Sequence, residues 1–138
     1  MKLRAHHLLC IPMYQGKGYS EGFCRNMEDI RGRIKEGEAE FLISASPDDI
    51  CAGCPHLCSD SGSLACKEEK KISQKDMELI MEWEMQKGAV YKRPEMKNMV
   101  VQNMSEEIFR HSCGNCEWLE KGLCSYSLWK EKFDQCFL

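Results

Sequence analysis

The sequence predicts a small, mainly α-helical single domain over residues 1–138, with about three to four helices and loops that carry metal-binding cysteines. Three observations predict it. Apolar residues recur at spacings of three and four in the stretches that follow Ser20, Ser73 and Pro94. Glycine, proline and serine punctuate those stretches. The ten cysteines gather mostly outside them, at more positions than packing in a chain of this size requires.

Ser20 is a favourable N-cap just after Gly16-Lys17-Gly18, and Phe23, Met27, Ile30 and Ile34 follow as one apolar stripe until Gly37 offers a stop. A second helix is expected from Ser73, with Asp76 in its first turn. It carries Met77, Ile80, Met81 and Glu84, with Leu79 and Trp83 widening the apolar side, and Gly88 is placed to end it. Pro94 suits the first turn of a third helix bearing Met96, Met99, Val100 and Met104, and Ser105 caps a short continuation into Cys113. Two extended pieces, Leu3 to Leu9 and Phe41 to Ile43, are candidates for one short two-stranded pairing. The nine methionines, many on the helix stripes, read as adaptable core filler.

Composition narrows the function. Hydrophobic residues at 43% and charged residues at 30% describe a globular chain. A formal net charge of -3 supplies no overall basic field, so neither nucleic acid nor an anionic membrane surface is expected as a partner. The start has no long apolar run with a cleavage site after it, and no stretch approaches the ~20 apolar residues of a transmembrane helix. The expected compartment is therefore the cytoplasm, where clustered cysteines serve as metal ligands or reactive groups more often than as disulfides.

Cys51-Ala52-Gly53-Cys54-Pro55-His56-Leu57-Cys58 has the spacing C-x2-C-x3-C, with Cys66 beyond it, and Cys113-Gly114-Asn115-Cys116 repeats the C-x2-C knuckle ahead of Cys124 and Cys136. A knuckle turns two sulfurs toward one ion while backbone N–H groups face the sulfurs, and Gly and Asn tolerate the backbone this needs. Three arrangements fit: one four-thiolate site within each group, a single site joining the two knuckles, or a site that also draws on the amino-terminal end. Outlying Cys24 fits equally with simple packing.

Arg4-Ala5-His6-His7-Leu8-Leu9-Cys10 concentrates chemistry near the start. If helical, His7 and Cys10 share a face and suit one metal; if extended, His6 and Cys10 do. A hydrogen-bonded pair of histidines that orients a turn is the plain alternative. Ser46-Pro47-Asp48-Asp49 reads as a turn and N-cap leading into the cysteines.

Together with Gly16-Lys17-Gly18-Tyr19-Ser20, Asp48-Asp49-Ile50-Cys51 and Cys113-x2-Cys116-x-Trp118, the amino-terminal motif resembles the domain of unknown function 1284, a family of bacteria and archaea. The resemblance runs from residue 4 to about residue 124. It implies a small iron–sulfur binding protein and no particular activity or substrate. Its functional positions fall on His6, His7, Cys10, Cys51, Cys54, Cys113, Cys116 and Cys124, and it favours one cluster over two, because Cys58 and Cys136 are not family features.

The expected function is thus a cysteine-ligated metal-binding protein, an iron–sulfur protein in electron transfer or redox or cluster sensing, working with a redox partner protein. The alternative is a structural zinc protein acting as a binding or regulatory module, whose thiolate ligands the sequence does not distinguish from the first. The cluster ligands are expected among Cys51, Cys54, Cys113, Cys116, Cys124 and Cys10, and the wider metal set adds Cys58, Cys66, His6 and His7. No Ser/His/Asp order, phosphate loop or dinucleotide fingerprint selects a reaction, so no catalytic residue is assigned.

Overall fold

A computed structural model describes residues 1–14, 16, 20–51, 57–60, 63–66, 69–113 and 125–137, with backbone alone for 57–60, 63–66, 69 and 113. The chain is mainly α. Its described helices are α1 (His7–Cys10), α2 (Glu21–Glu36), α3 (Glu69–Glu82), α4 (Arg93–Asn103), α5 (Glu106–Cys113) and α6 (Tyr126–Cys136). The strands are β1 (Lys2–Arg4), β2 (Glu40–Ser44), β3 (Leu57–Asp60), β4 (Ser63–Cys66) and β5 (Val90–Lys92).

Helix α2 forms where expected and for the expected reasons. The Ser20 Oγ accepts the Phe23 N–H at 3.1 Å, and Gly37 ends the helix at φ 116°, a left-handed backbone that glycine adopts freely. The Gly37 and Glu38 N–H groups return to the carbonyls of Ile34 and Arg33, which satisfies the last turn. Phe23, Met27, Ile30 and Ile34 are all buried.

Helix α3 departs from expectation at both ends. It begins at Glu69 and not Ser73, which moves Asp76 from the first turn to the helix interior, where it is fully buried. It stops at Glu82, because Glu84 takes a left-handed φ of 59° and lets Met85 N–H bond the Ile80 carbonyl. Gly88 instead shapes the turn into β5 and donates to the Ile43 carbonyl at 2.8 Å. The buried face is Asp76, Leu79, Ile80 and Trp83, so the stripe is rotated and Met81 is left 73% exposed.

Pro94 opens α4 and Ser105 caps α5 as predicted, the Ser105 Oγ accepting Ile108 N–H at 3.2 Å. The two extended pieces do pair: β1 runs parallel to β2 with Leu3 opposite Ile43, and β5 adds a third, antiparallel strand. The first piece is shorter than expected. After Arg4 the chain turns, Leu8 N–H reaching Ala5 carbonyl and Leu9 N–H reaching His6 carbonyl, so residues 7–10 are helical. Within the second cysteine group, where a loop was expected, β3 and β4 form a hairpin with Cys58 opposite Ala65 and Cys66 opposite Leu57.

Helix α6 has no counterpart in the sequence expectations. Ser125 caps it, and Trp129, Phe133, Cys136 and Phe137 turn one apolar face inward. Ring contacts run from Phe109 through Trp129 and Phe133 to Phe137 and Phe41, with centroids 4.9–5.9 Å apart. The Trp129 indole N–H also donates to the Leu8 carbonyl at 3.3 Å, fastening α6 to α1. Among the described residues, no helix is long and apolar enough to cross a membrane.

Phe133 is 0% exposed and touches both Trp129 and Phe137. Phe133→Ala is expected to lower stability by about 3–5 kcal/mol in denaturant titration, with the dependence on denaturant unchanged. A loss under about 1 kcal/mol would mean that α6 contributes little to the core.

Candidate metal centre

The site begins with a buried charge. Arg4 ends β1 and is 0% exposed. Its Nε donates to Asp76 Oδ2 at 2.6 Å, its Nη2 to the Ala45 carbonyl at 3.1 Å, and its backbone N–H to Asp48 Oδ2 at 2.6 Å. Asp76 comes from α3 and Asp48 from the turn after β2, so Arg4, through its side chain and its backbone, joins three parts of the chain. Asp48 also folds its own turn, Oδ1 accepting the Ile50 and Cys51 N–H groups at 2.9 Å each. The sequence reading of a turn is met, although Asp48 is buried and not solvated. Asp49 lies at the side, accepting Lys2 N–H at 3.1 Å, while Asn26 of α2 donates to the Asp49 and Ile50 carbonyls.

The two histidines use these same carboxylates. His6 gives both its backbone N–H and its Nδ1 to Asp76 Oδ1, at 2.9 and 2.7 Å, and His7 Nδ1 meets Asp48 Oδ2 at 2.6 Å. The rings lie 4.2 Å apart between centroids, tilted by 48°. Burial opposes ionisation of Asp48. The charge and hydrogen bond of His7, with the N–H groups of Arg4 and Cys51, outweigh it and hold the carboxyl below its usual range. Burial likewise opposes ionisation of Asp76, and His6 and Arg4 overcome it. An ionised carboxylate only accepts, so each Nδ1 donates its proton to its carboxylate. His6 stays neutral, its pKa lowered to about 4 first by burial and then by the neighbouring His7.

Cys51 completes the cluster. It is 8% exposed, and burial, followed by the Asp48 charge, pushes its thiol up to about 12. Ligand-type atoms of His7, Asp48 and Cys51 all lie within 4.8 Å of one another. Cys10 does not join this group, although it shares α1 with His7. Cys24 is half-buried, its thiol 3.8 Å from the Gly16 carbonyl, and Cys136 packs in the core. Cys54, Cys116, Cys124 and Lys17 lie outside the described residues, and Cys58, Cys66 and Cys113 are described by backbone alone.

A family model described as protein of unknown function (DUF1284) matches residues 18–122. The chain belongs to that family. No curated protein matches it, and no solved structure does. The match begins after the Arg4–Cys10 motif and ends before Cys124, a shorter span than the resemblance suggested. In this DUF1284 chain the sequence reading also missed Asp76 and the role of Arg4. Asp76 precedes Ile80 and Trp83 by four and seven positions, so it sits in register with an apolar row, where a carboxylate requires a buried partner.

Asp76→Asn leaves a buried guanidinium without its counter-charge and is expected to cost about 3–5 kcal/mol, measured by thermal or urea unfolding. Asp49→Asn, which affects one partly buried bond, should cost about 1 kcal/mol. Equal losses would remove the distinction drawn between these carboxylates.

The same groups fix an acid dependence. The folded state keeps His6 neutral down to about 4, whereas the unfolded chain takes up that proton near the ordinary histidine value of 6.5. Stability therefore falls as pH drops between these values. The depressed Asp48 and Asp76 extend the loss below the ordinary carboxylate value of 3.8. Unfolding free energy followed from pH 7 downward should show this decline, with a shallower slope between pH 6.5 and 4 in His6→Gln. An identical slope in that variant would exclude His6 as its source.

Proposed function

We propose that this protein is a cysteine-ligated metal-binding protein, an iron–sulfur protein serving electron transfer or redox or cluster sensing with a partner protein. The observation that carries the reading is the position of Cys51. The first cysteine of the C-x2-C-x3-C run stands within 4.8 Å of His7 and Asp48, in a buried pocket rather than on a free loop. The surroundings suit a cation: Asp76 is paired with the Arg4 guanidinium, while Asp48 meets Arg4 only through its backbone N–H and lies beside His7 and Cys51. Held by burial and by Asp48, the Cys51 thiol keeps its proton until a metal displaces it. His7 and Cys51 would hold the ion from this side, and Cys54 and the later knuckle are proposed to supply the remaining thiolates.

A specific observation favours zinc as the second reading. An imidazole beside a thiolate is a common zinc donor pair, whereas most iron–sulfur clusters take thiolates alone. On that reading the protein is a binding or regulatory module clasped by its metal.

Metal and acid-labile sulfide analysis of protein purified without oxygen separates the two. Iron with stoichiometric sulfide is expected; zinc without sulfide selects the second reading, and neither metal would sink both. Cys51→Ser is expected to lower metal content and melting temperature together, because the binding energy of such a site is folding energy. Cys24→Ala should leave metal content unchanged, and a loss there would bring α2 into the ligand set.

A further inference from the structure

We propose that His6 and His7 are both ligands of the metal, each through Nε2, and that Asp48 and Asp76 are anchors behind them and not ligands. The inference rests on the metal-binding reading above and goes beyond it by assigning which atoms bind.

The hydrogen bonds of Asp48 decide its role. A carboxylate offers about four lone-pair sites. Asp48 fills them with four donors, Arg4 N–H and His7 Nδ1 on Oδ2, Ile50 and Cys51 N–H on Oδ1. Binding an ion would cost it bonds that fold the turn and hold β1. Asp76 is similarly occupied by Arg4 Nε, His6 N–H and His6 Nδ1. Each carboxylate, however, does to its histidine what the outer partner of a metal-bound imidazole does: it fixes the tautomer, sets the ring angle and makes Nε2 more basic. Among the described residues, neither Nε2 has a hydrogen-bond partner, and the two side chains keep 16% and 12% of their surface exposed. Two such assemblies stand on consecutive residues with rings 4.2 Å apart between centroids, and the second of them, His7, lies within 4.8 Å of Cys51. If the group is an iron–sulfur cluster, two imidazoles in place of two thiolates raise its reduction potential above that of an all-thiolate cluster.

X-ray absorption at the iron and zinc edges of the protein as purified tests this directly. Expected is outer-shell scattering from two imidazoles per site, one of which disappears in His6→Gln and one in His7→Gln. Asp76→Asn should keep both imidazoles but release metal to a chelator about 10–100-fold more readily. A bound metal surrounded by sulfur alone would overturn the assignment and leave the metal-binding reading standing. Absence of both metals would overturn the two together. The wild-type spectrum decides even if a histidine variant fails to fold.

Discussion

Arg4 is the constraint on which the rest of the structure depends. A guanidinium cannot shed its proton, so burying it forces the chain to bring anions and carbonyls to it. Asp76 supplies the charge and Ala45 a carbonyl, while the Arg4 backbone reaches Asp48. A buried pair of this kind adds little net stability over an apolar substitute, since desolvation offsets the attraction. Its effect is to specify arrangement. Strand β1, the turn after β2 and helix α3 have to meet at one point, and the two histidines that follow Arg4 are carried to that point with them.

The charge balance at that point has a chemical consequence. Asp76 is paired with the Arg4 guanidinium, while Asp48 is held by the Arg4 backbone N–H and by His7. Burial first, and then the Asp48 charge, keep the Cys51 thiol from ionising. On the proposed reading, a bound cation would let the thiolate form. The groups proposed to surround a positive ligand are thus the same groups that hold the fold together.

Helix α1 is only four residues long and would not persist alone. Trp129 holds it through the Leu8 carbonyl, and Leu8 and Leu9 are buried in the same core cluster as Trp129 and Phe133. The carboxy-terminal helix, remote in sequence, therefore positions the amino-terminal histidines.

Local chemistry was legible in the sequence. The Ser20 cap, the Gly37 stop, the stripe of α2, Pro94 and Ser105 act over a few residues, so their meaning is set by neighbours along the chain. The His6-His7 pair and Cys51 were singled out for the same reason, and the structure brings His7 and Cys51 together. Tertiary structure decided what distance along the chain conceals: that Asp76 reaches back to Arg4 and His6, that Asp48 is buried and its hydrogen bonds saturated, and that His7 stands beside Cys51 while Cys10 does not join them. A burial face is chosen by what packs on it, so α3 turned Asp76 inward and left Met81 in water. The residue types by themselves determined that a buried charge would need a partner; only the packing of strands and helices determined which one it met.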